Sequence, residues 1–178
     1  MKKMLFLTFI GLSILSCRIQ GLTNDYNKLP PEQKKLIVAL DEFNTTKPNF
    51  IYKINGKQLQ QELSKHPKSL VYIFKNGCTS KLCKPLLIYE NYANEHGYKL
   101  FLVMNGYANL NATLEQPYTS TLFSIDNDYY KSNMRNTYIR YFENEISKKP
   151  LEEKSKEYLG NLFFFERDQL LKIEHDLP

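Results

Sequence analysis

The chain has no tryptophan and only three cysteines and three histidines in 178 residues. It contains no glycine-rich phosphate loop, no H-E-x-x-H and no G-x-S-x-G, so nucleotide-dependent and hydrolytic chemistry have no support in it. No apolar run approaches the roughly 20 residues that a membrane-spanning helix needs. The formal charge of +5 is mild and dispersed, which argues against nucleic acid as a partner. The lack of tryptophan, beside abundant Asn, Lys, Tyr and Ile, reads as the bias of an AT-rich coding sequence and not as a functional signal. There is no internal repeat.

The N-terminus is the first segment with a pattern. Met1-Lys2-Lys3 is followed by an apolar stretch over residues 4–15 and then by Ser16-Cys17. A short basic start, about a dozen apolar residues and a small residue before the cut describe a secretory signal. The ending Ile14-Leu15-Ser16-Cys17 resembles the bacterial lipobox, in which the cysteine is lipidated and becomes the mature N-terminus. Residues 1–16 are thus expected to be a lipoprotein signal peptide, 17–30 a tether and 31–178 the folded domain. The expected location is the cell envelope, with the lipid on Cys17 as the anchor and the domain facing the periplasm or exterior. Cleavage leaves 162 residues and removes Lys2 and Lys3, which lowers the formal charge to +3, from 22 basic and 19 acidic side chains. Outside the cytoplasm the two remaining cysteines, Cys78 and Cys83, are expected to be able to bond.

About 160 residues fit one domain with a sizeable core. Pro30-Pro31 can open a helix, and Leu36, Ile37, Leu40 and Phe43 continue it at helical spacing. A short strand is expected over residues 49–54, stopped by Asn55-Gly56, and a helix over 57–66. Ser69-Leu70-Val71-Tyr72-Ile73-Phe74-Lys75 runs apolar without alternation, as a strand buried on both faces does. A helix over 84–96, stopped by Gly97, leads to a second central strand at 98–104. A short helix near 110–116, a strand at 119–125 and a long helix from Asp126 to about Ile146 follow, with Asp126 and Asp128 as acidic helix-start residues. Residues 161–166 and 169–174 read as a closing β-hairpin around Arg167-Asp168. Strands separated by helices imply a largely parallel sheet with an antiparallel edge. The class is α/β, with a mixed central sheet, helices on both faces and a C-terminal hairpin.

Cys78 and Cys83 lie between the strongest strand and the helix after it. Pro85 sets where that helix begins, since proline fits the first turn and not the fifth position. The start is expected at Cys83 or Lys84, with residues 76–82 as a loop. Five residues apart on one continuous helix, the thiols would point about 140° from each other and could not meet. On a loop they can. A thiolate near a helix N-terminus is stabilised by the dipole, and Lys81 and Lys84 add positive charge.

The run from Ser69 to Asn76-Gly77-Cys78, then Cys83-Lys84, a helix and Tyr98-Lys99-Leu100-Phe101-Leu102-Val103, resembles the central β-α-β of thioredoxin-like proteins. The extra strand and long helix resemble the redoxin branch of that family, which includes many bacterial envelope lipoproteins. The resemblance covers residues 51–177 and rests on element order. It implies Cys78 as the exposed nucleophile and Cys83 as the resolving thiol, with protein thiols or disulfides of the envelope as partners and no cofactor. The chain departs from the family in spacing its cysteines C-x4-C instead of C-x-x-C. It also has no proline before the closing hairpin and no tryptophan before Cys78.

Two classes of function follow. One is thiol–disulfide exchange through Cys78 and Cys83. The other is a non-catalytic thioredoxin-like binding module whose disulfide is structural, which the missing C-x-x-C and proline favour. A copper site would need His175 or another histidine beside the thiols, and a peroxidase would need a threonine before the cysteine, where Thr79 instead follows it.

Overall fold

A computed structural model of the chain describes residues 21–80, 83–154 and 159–178. The expected signal segment and Cys17 lie outside the described residues, as do Lys81 and Leu82 between the two cysteines. Among the described residues, no helix is long and apolar enough to cross a membrane.

Seven strands make one mixed sheet: β1 (Ile37–Ala39), β2 (Ile51–Ile54), β3 (Lys68–Phe74), β4 (Lys99–Met104), β5 (Leu122–Ile125), β6 (Leu162–Glu166) and β7 (Gln169–Glu174). Their order across the sheet is β1-β2-β5-β4-β3-β6-β7. The first five run parallel, and β6 is antiparallel to β3 and to β7. The helices are α1 (Pro31–Lys34), α2 (Gly56–Leu63), α3 (Leu86–His96), α4 (Leu110–Leu114) and α5 (Arg135–Ile146).

The unbroken apolar run of β3 explains its central place. Val71 and Ile73 join one cluster, with Leu59 and Leu63 of α2 and Tyr138, Phe142 and Ile146 of α5. Leu70, Tyr72 and Phe74 join the other, with Leu86 and Tyr89 of α3 and Leu110 of α4. The helices therefore cover both faces, as expected. Burying each such side chain contributes about 1.5–3 kcal/mol. Asn55 caps α2 through a capping box with Gln58, and Gly97, at φ +70°, ends α3.

Several element boundaries differ from expectation, three of them through distant partners. The helix expected through Phe43 ends after one turn, and Ile37–Ala39 instead pairs in parallel with β2. The apolar residues serve both faces of the sheet, Ile37 on one and Val38 and Leu40 on the other, so tertiary pairing overrides the helical spacing. Helix α5 begins at Arg135 and not at Asp126. The intervening residues form turns closed by Lys131 N–H to the Asp128 carbonyl and Ser132 N–H to the Asn127 carbonyl. Asp126 and Asp128 pair with Lys53 at 3.3 and 2.9 Å instead of starting the helix. Strand β5 starts at Leu122, because the N–H groups of Thr119 and Ser120 are taken by Glu90 of α3.

Residues 21–30, the described part of the expected tether, lie against the body of the fold. The Asn24 carbonyl accepts from Tyr107 N–H at 2.7 Å, and the Leu22 carbonyl accepts from Arg135 N–H at 2.8 Å. Asp25 is buried among Lys28 at 2.6 Å and Arg135 at 3.7 Å. Burial works against its charge, and the hydrogen bond from Lys28 leads the contacts that nevertheless hold its carboxyl below the ordinary range.

Candidate functional site

Strand β3 delivers Lys75-Asn76-Gly77-Cys78 at its C-terminal end, the end of a parallel sheet where ligand and catalytic groups gather. Asn76 is buried and pins the loop from two sides. Its Nδ2 donates to the Gly106 carbonyl beyond β4 at 2.8 Å, and its Oδ1 accepts from Thr113 Oγ1 of α4 at 2.7 Å. Gly77 follows at φ +62°, and a Cβ there would lie 2.9 Å from Cβ of Asn109. Only glycine lets the loop pass that close to the start of α4.

Cys78 and Cys83 form a disulfide, with Cα atoms 6.0 Å apart. The bonded pair expected from the sequence is present. Cys83 N–H donates to the Ser80 carbonyl at 2.9 Å, which closes a turn inside the loop. Both cysteines are half-buried and border a groove of about 370 Å³, shared with Phe74, Pro85, Thr113 and Gln116. Beneath it, Tyr72 and Tyr89 stack with centroids 3.9 Å apart.

The electrostatic setting differs from the one expected. Helix α3 begins at Leu86, with Pro85 as its cap, not at Cys83 or Lys84. Proline at the cap needs no partner for its missing N–H, and the first backbone donor of the helix, Leu86 N–H, is taken by Gln116 Oε1 at 3.0 Å. The helix N-terminus is therefore capped from α4's side and not by a cysteine. Lys84 is also engaged, with its ammonium 2.5 Å from Asp176 Oδ1 beyond β7. That bond holds the Asp176 carboxyl below its ordinary range. The positive charge expected from Lys84 is met locally by a carboxylate.

Two of the histidines are engaged within their own helices and turns. His66 Nε2 lies 3.1 Å from Glu62, and His96 Nδ1 lies 2.9 Å from the Tyr92 carbonyl while its ring stacks on Tyr92. His175 is exposed after β7. Among the described residues no group of three or more His, Cys, Asp or Glu side chains could hold a metal ion.

The cysteines are legible in the sequence, whereas the part that Asn76-Gly77 plays in holding their loop is not. Thr113, Gln116 and Asp176 were missed, and no local signal marks them. They reach the loop from 37 residues beyond Asn76, 30 beyond Leu86 and the end of the closing hairpin. Comparison with known proteins adds no name to this arrangement: no family model, no curated protein and no solved structure matches the chain.

Proposed function

We propose that this chain is a lipid-anchored, thioredoxin-like protein of the bacterial cell envelope that exchanges thiols and disulfides through Cys78 and Cys83. The observation that carries the reading is a half-buried disulfide bordering a groove at the C-terminal end of the central strand. The strand order supports the fold assignment. The strand before the cysteines is followed by a helix and a parallel neighbour, β4, and on its other side lies the antiparallel pair β6-β7. In the reduced protein, the Cys78 thiolate attacks one sulfur of a substrate disulfide and expels the other as a thiolate. The Cys83 thiolate then attacks the Cys78 sulfur, releasing the second substrate thiolate and closing the Cys78–Cys83 bond. Two electrons pass to the substrate, and each released thiolate takes a proton from water.

A second reading, a non-catalytic module with a structural disulfide, is favoured by one observation. Gln116, and not a cysteine, meets the first donor of α3. The reduction potential separates the two, measured against glutathione and dithiothreitol couples. A value below about −300 mV with no exchange on a protein disulfide makes the bond structural and overturns the redox reading. A higher value, with a mixed disulfide trapped on Cys83→Ser and none on Cys78→Ser, supports it. The anchor is tested separately, since Cys17→Ser should move the protein from the membrane fraction to the soluble one.

A further inference from the structure

Residues 21–24 are bonded to the folded domain at one place. Gly21 N–H donates to Asp25 Oδ2 at 2.9 Å, and the Leu22 and Asn24 carbonyls accept from Arg135 N–H at 2.8 Å and Tyr107 N–H at 2.7 Å. This places them at the C-terminal end of the parallel strands, beside the turn that follows β4 and the start of α5. The point at which the chain joins the domain from Cys17 is therefore fixed.

Two apolar side chains stand at that point. The bond from Arg135 N–H to the Leu22 carbonyl sets Leu22 beside Met134, and they are 56% and 54% exposed. Among the described residues only Leu171, at 60% on β7, is a large apolar side chain more open to solvent. A lone exposed apolar residue needs no explanation. Two of the three most exposed, side by side where the chain arrives from its expected anchor, call for one. Residues 129–137 contain no acidic side chain, and Lys131 among them is exposed. The carboxylates closest in sequence, Asp25 and Asp128, are met by Lys28 at 2.6 Å and Lys53 at 2.9 Å. Neither segment offers an unpaired carboxylate to an anionic headgroup.

Reach decides which face can meet a membrane. Cys17 lies four residues before Gly21, so their Cα atoms are no more than about 14 Å apart in any conformation. That is shorter than the roughly 15 Å radius of gyration of a folded domain of about 160 residues. A lipid on Cys17 therefore holds the Gly21 side of the domain against the headgroups and keeps the opposite side away from them.

We propose that Leu22 and Met134 form a membrane-contact patch, seated in the headgroup region of the bilayer that carries the Cys17 lipid. The patch rests on the lipid anchor proposed above and adds an orientation to it. The end of the sheet that bears the disulfide groove is held toward the membrane. Two side chains would not retain the domain by themselves, but they can orient one that a lipid already retains.

The test uses the full chain, expressed in a bacterial host with residues 1–17 intact, purified oxidised in detergent and reconstituted into phosphatidylethanolamine–phosphatidylglycerol vesicles. With Cys17 lipidated and Cys78–Cys83 bonded, the cysteine added by Leu22→Cys, Met134→Cys or Leu171→Cys is the one free thiol and takes an NBD fluorophore. Doxyl-labelled lipids should quench NBD at positions 22 and 134 at least about threefold more than at 171, with the fluorophore about 5–10 Å into the interface. Met134→Glu should remove at least about half of the quenching at position 22, and Leu22→Glu the same at 134, since a carboxylate resists entry among anionic headgroups. Both sites are exposed, so circular dichroism should be unchanged in all variants. Protein that stays in the supernatant when the vesicles are pelleted has no lipid anchor and overturns the anchor and the patch together. Protein that pellets, with NBD at 22 and 134 quenched no more than at 171, overturns the patch alone. So does quenching that survives both glutamate variants.

Discussion

Removing the Asn76 side chain should loosen the disulfide loop more than any exposed substitution within it. Asn76 is 2% exposed and makes two buried hydrogen bonds, to the Gly106 carbonyl at 2.8 Å and from Thr113 Oγ1 at 2.7 Å. Asn76→Ala deletes both and leaves a buried carbonyl and a buried hydroxyl unpartnered. Each orphaned group costs about 1–3 kcal/mol. Relaxation, and a water entering the vacated space, return part of that, so the expected loss is about 2–4 kcal/mol. Urea unfolding of the oxidised protein at neutral pH measures it. With a slope of about 2 kcal/mol/M, the midpoint should fall by about 1–2 M while the slope is unchanged.

Thr113→Val makes the same point from the other side. It removes one bond, leaves Asn76 Oδ1 unmet and should cost about 1–2 kcal/mol. The double variant should cost less than the two singles together by about 1 kcal/mol, because each single strands a group that the double removes. The same loosening should speed reduction of Cys78–Cys83 by dithiothreitol in Asn76→Ala. Strict additivity, or a loss in Asn76→Ala below about 0.5 kcal/mol, would refute the claim that this pair fixes the loop.

Replacing both cysteines by serine should cost about 2 kcal/mol in the chain-entropy account of so short a loop, read as the midpoint difference between Cys78→Ser/Cys83→Ser and the oxidised protein; a loss above about 5 kcal/mol would mean the bond holds more than its own loop. Gly77→Ala places a Cβ at φ +62° and 2.9 Å from Asn109, so a loss of more than about 1 kcal/mol is expected, and an unchanged melting temperature would contradict the close approach. Gln116→Leu frees Leu86 N–H and should raise the reduction potential of the pair by about 10–20 mV if a thiolate can use that donor, while Gln116→Glu should not raise it. Burial raises the Glu143 carboxyl to about 7, against 4.5 for the free side chain, so the folded state binds the extra proton between those values and stability falls as pH rises from about 4.5 to 7. Allowing for its partial exposure, Glu143→Gln should therefore gain about 1–2 kcal/mol at pH 8 and nothing at pH 4; equal gains at both would remove the titration as the cause.

What was legible in the sequence follows from how local each cause is. Strand β3 could be read because six consecutive residues, Ser69 to Phe74, are buried, leaving no alternation to misread. The end of α3 could be read because Gly97 takes a left-handed cap that its own neighbours satisfy. The hairpin β6-β7 could be read because its turn lies between two apolar runs. Segments whose partner is distant in sequence were misread. Leu36, Ile37, Leu40 and Phe43 fit a helix by spacing, and only the presence of β2 as an open parallel neighbour makes a strand of Ile37–Ala39. The acidic pair Asp126 and Asp128 fits a helix start, and only Lys53, arriving on β2, gives the carboxylates another use.

The candidate site divides along the same line. The dithiol and its ability to close were local, set by Pro85 and a five-residue separation, and the disulfide is there. The reactivity expected from local features, a helix start and two lysines, meets distant residues that intervene. Gln116 covers the helix donor, and Asp176 answers Lys84. Both act against a stabilised thiolate, and neither closes the groove on which the disulfide lies. A site so arranged stabilises its reduced state less than a cysteine at an open helix N-terminus does, so its disulfide is the harder of the two to reduce. Gln116 and Asp176 meet the groups beside the pair, so substitutions at them should move its potential further than substitutions at Thr79 or Ser80, which are exposed.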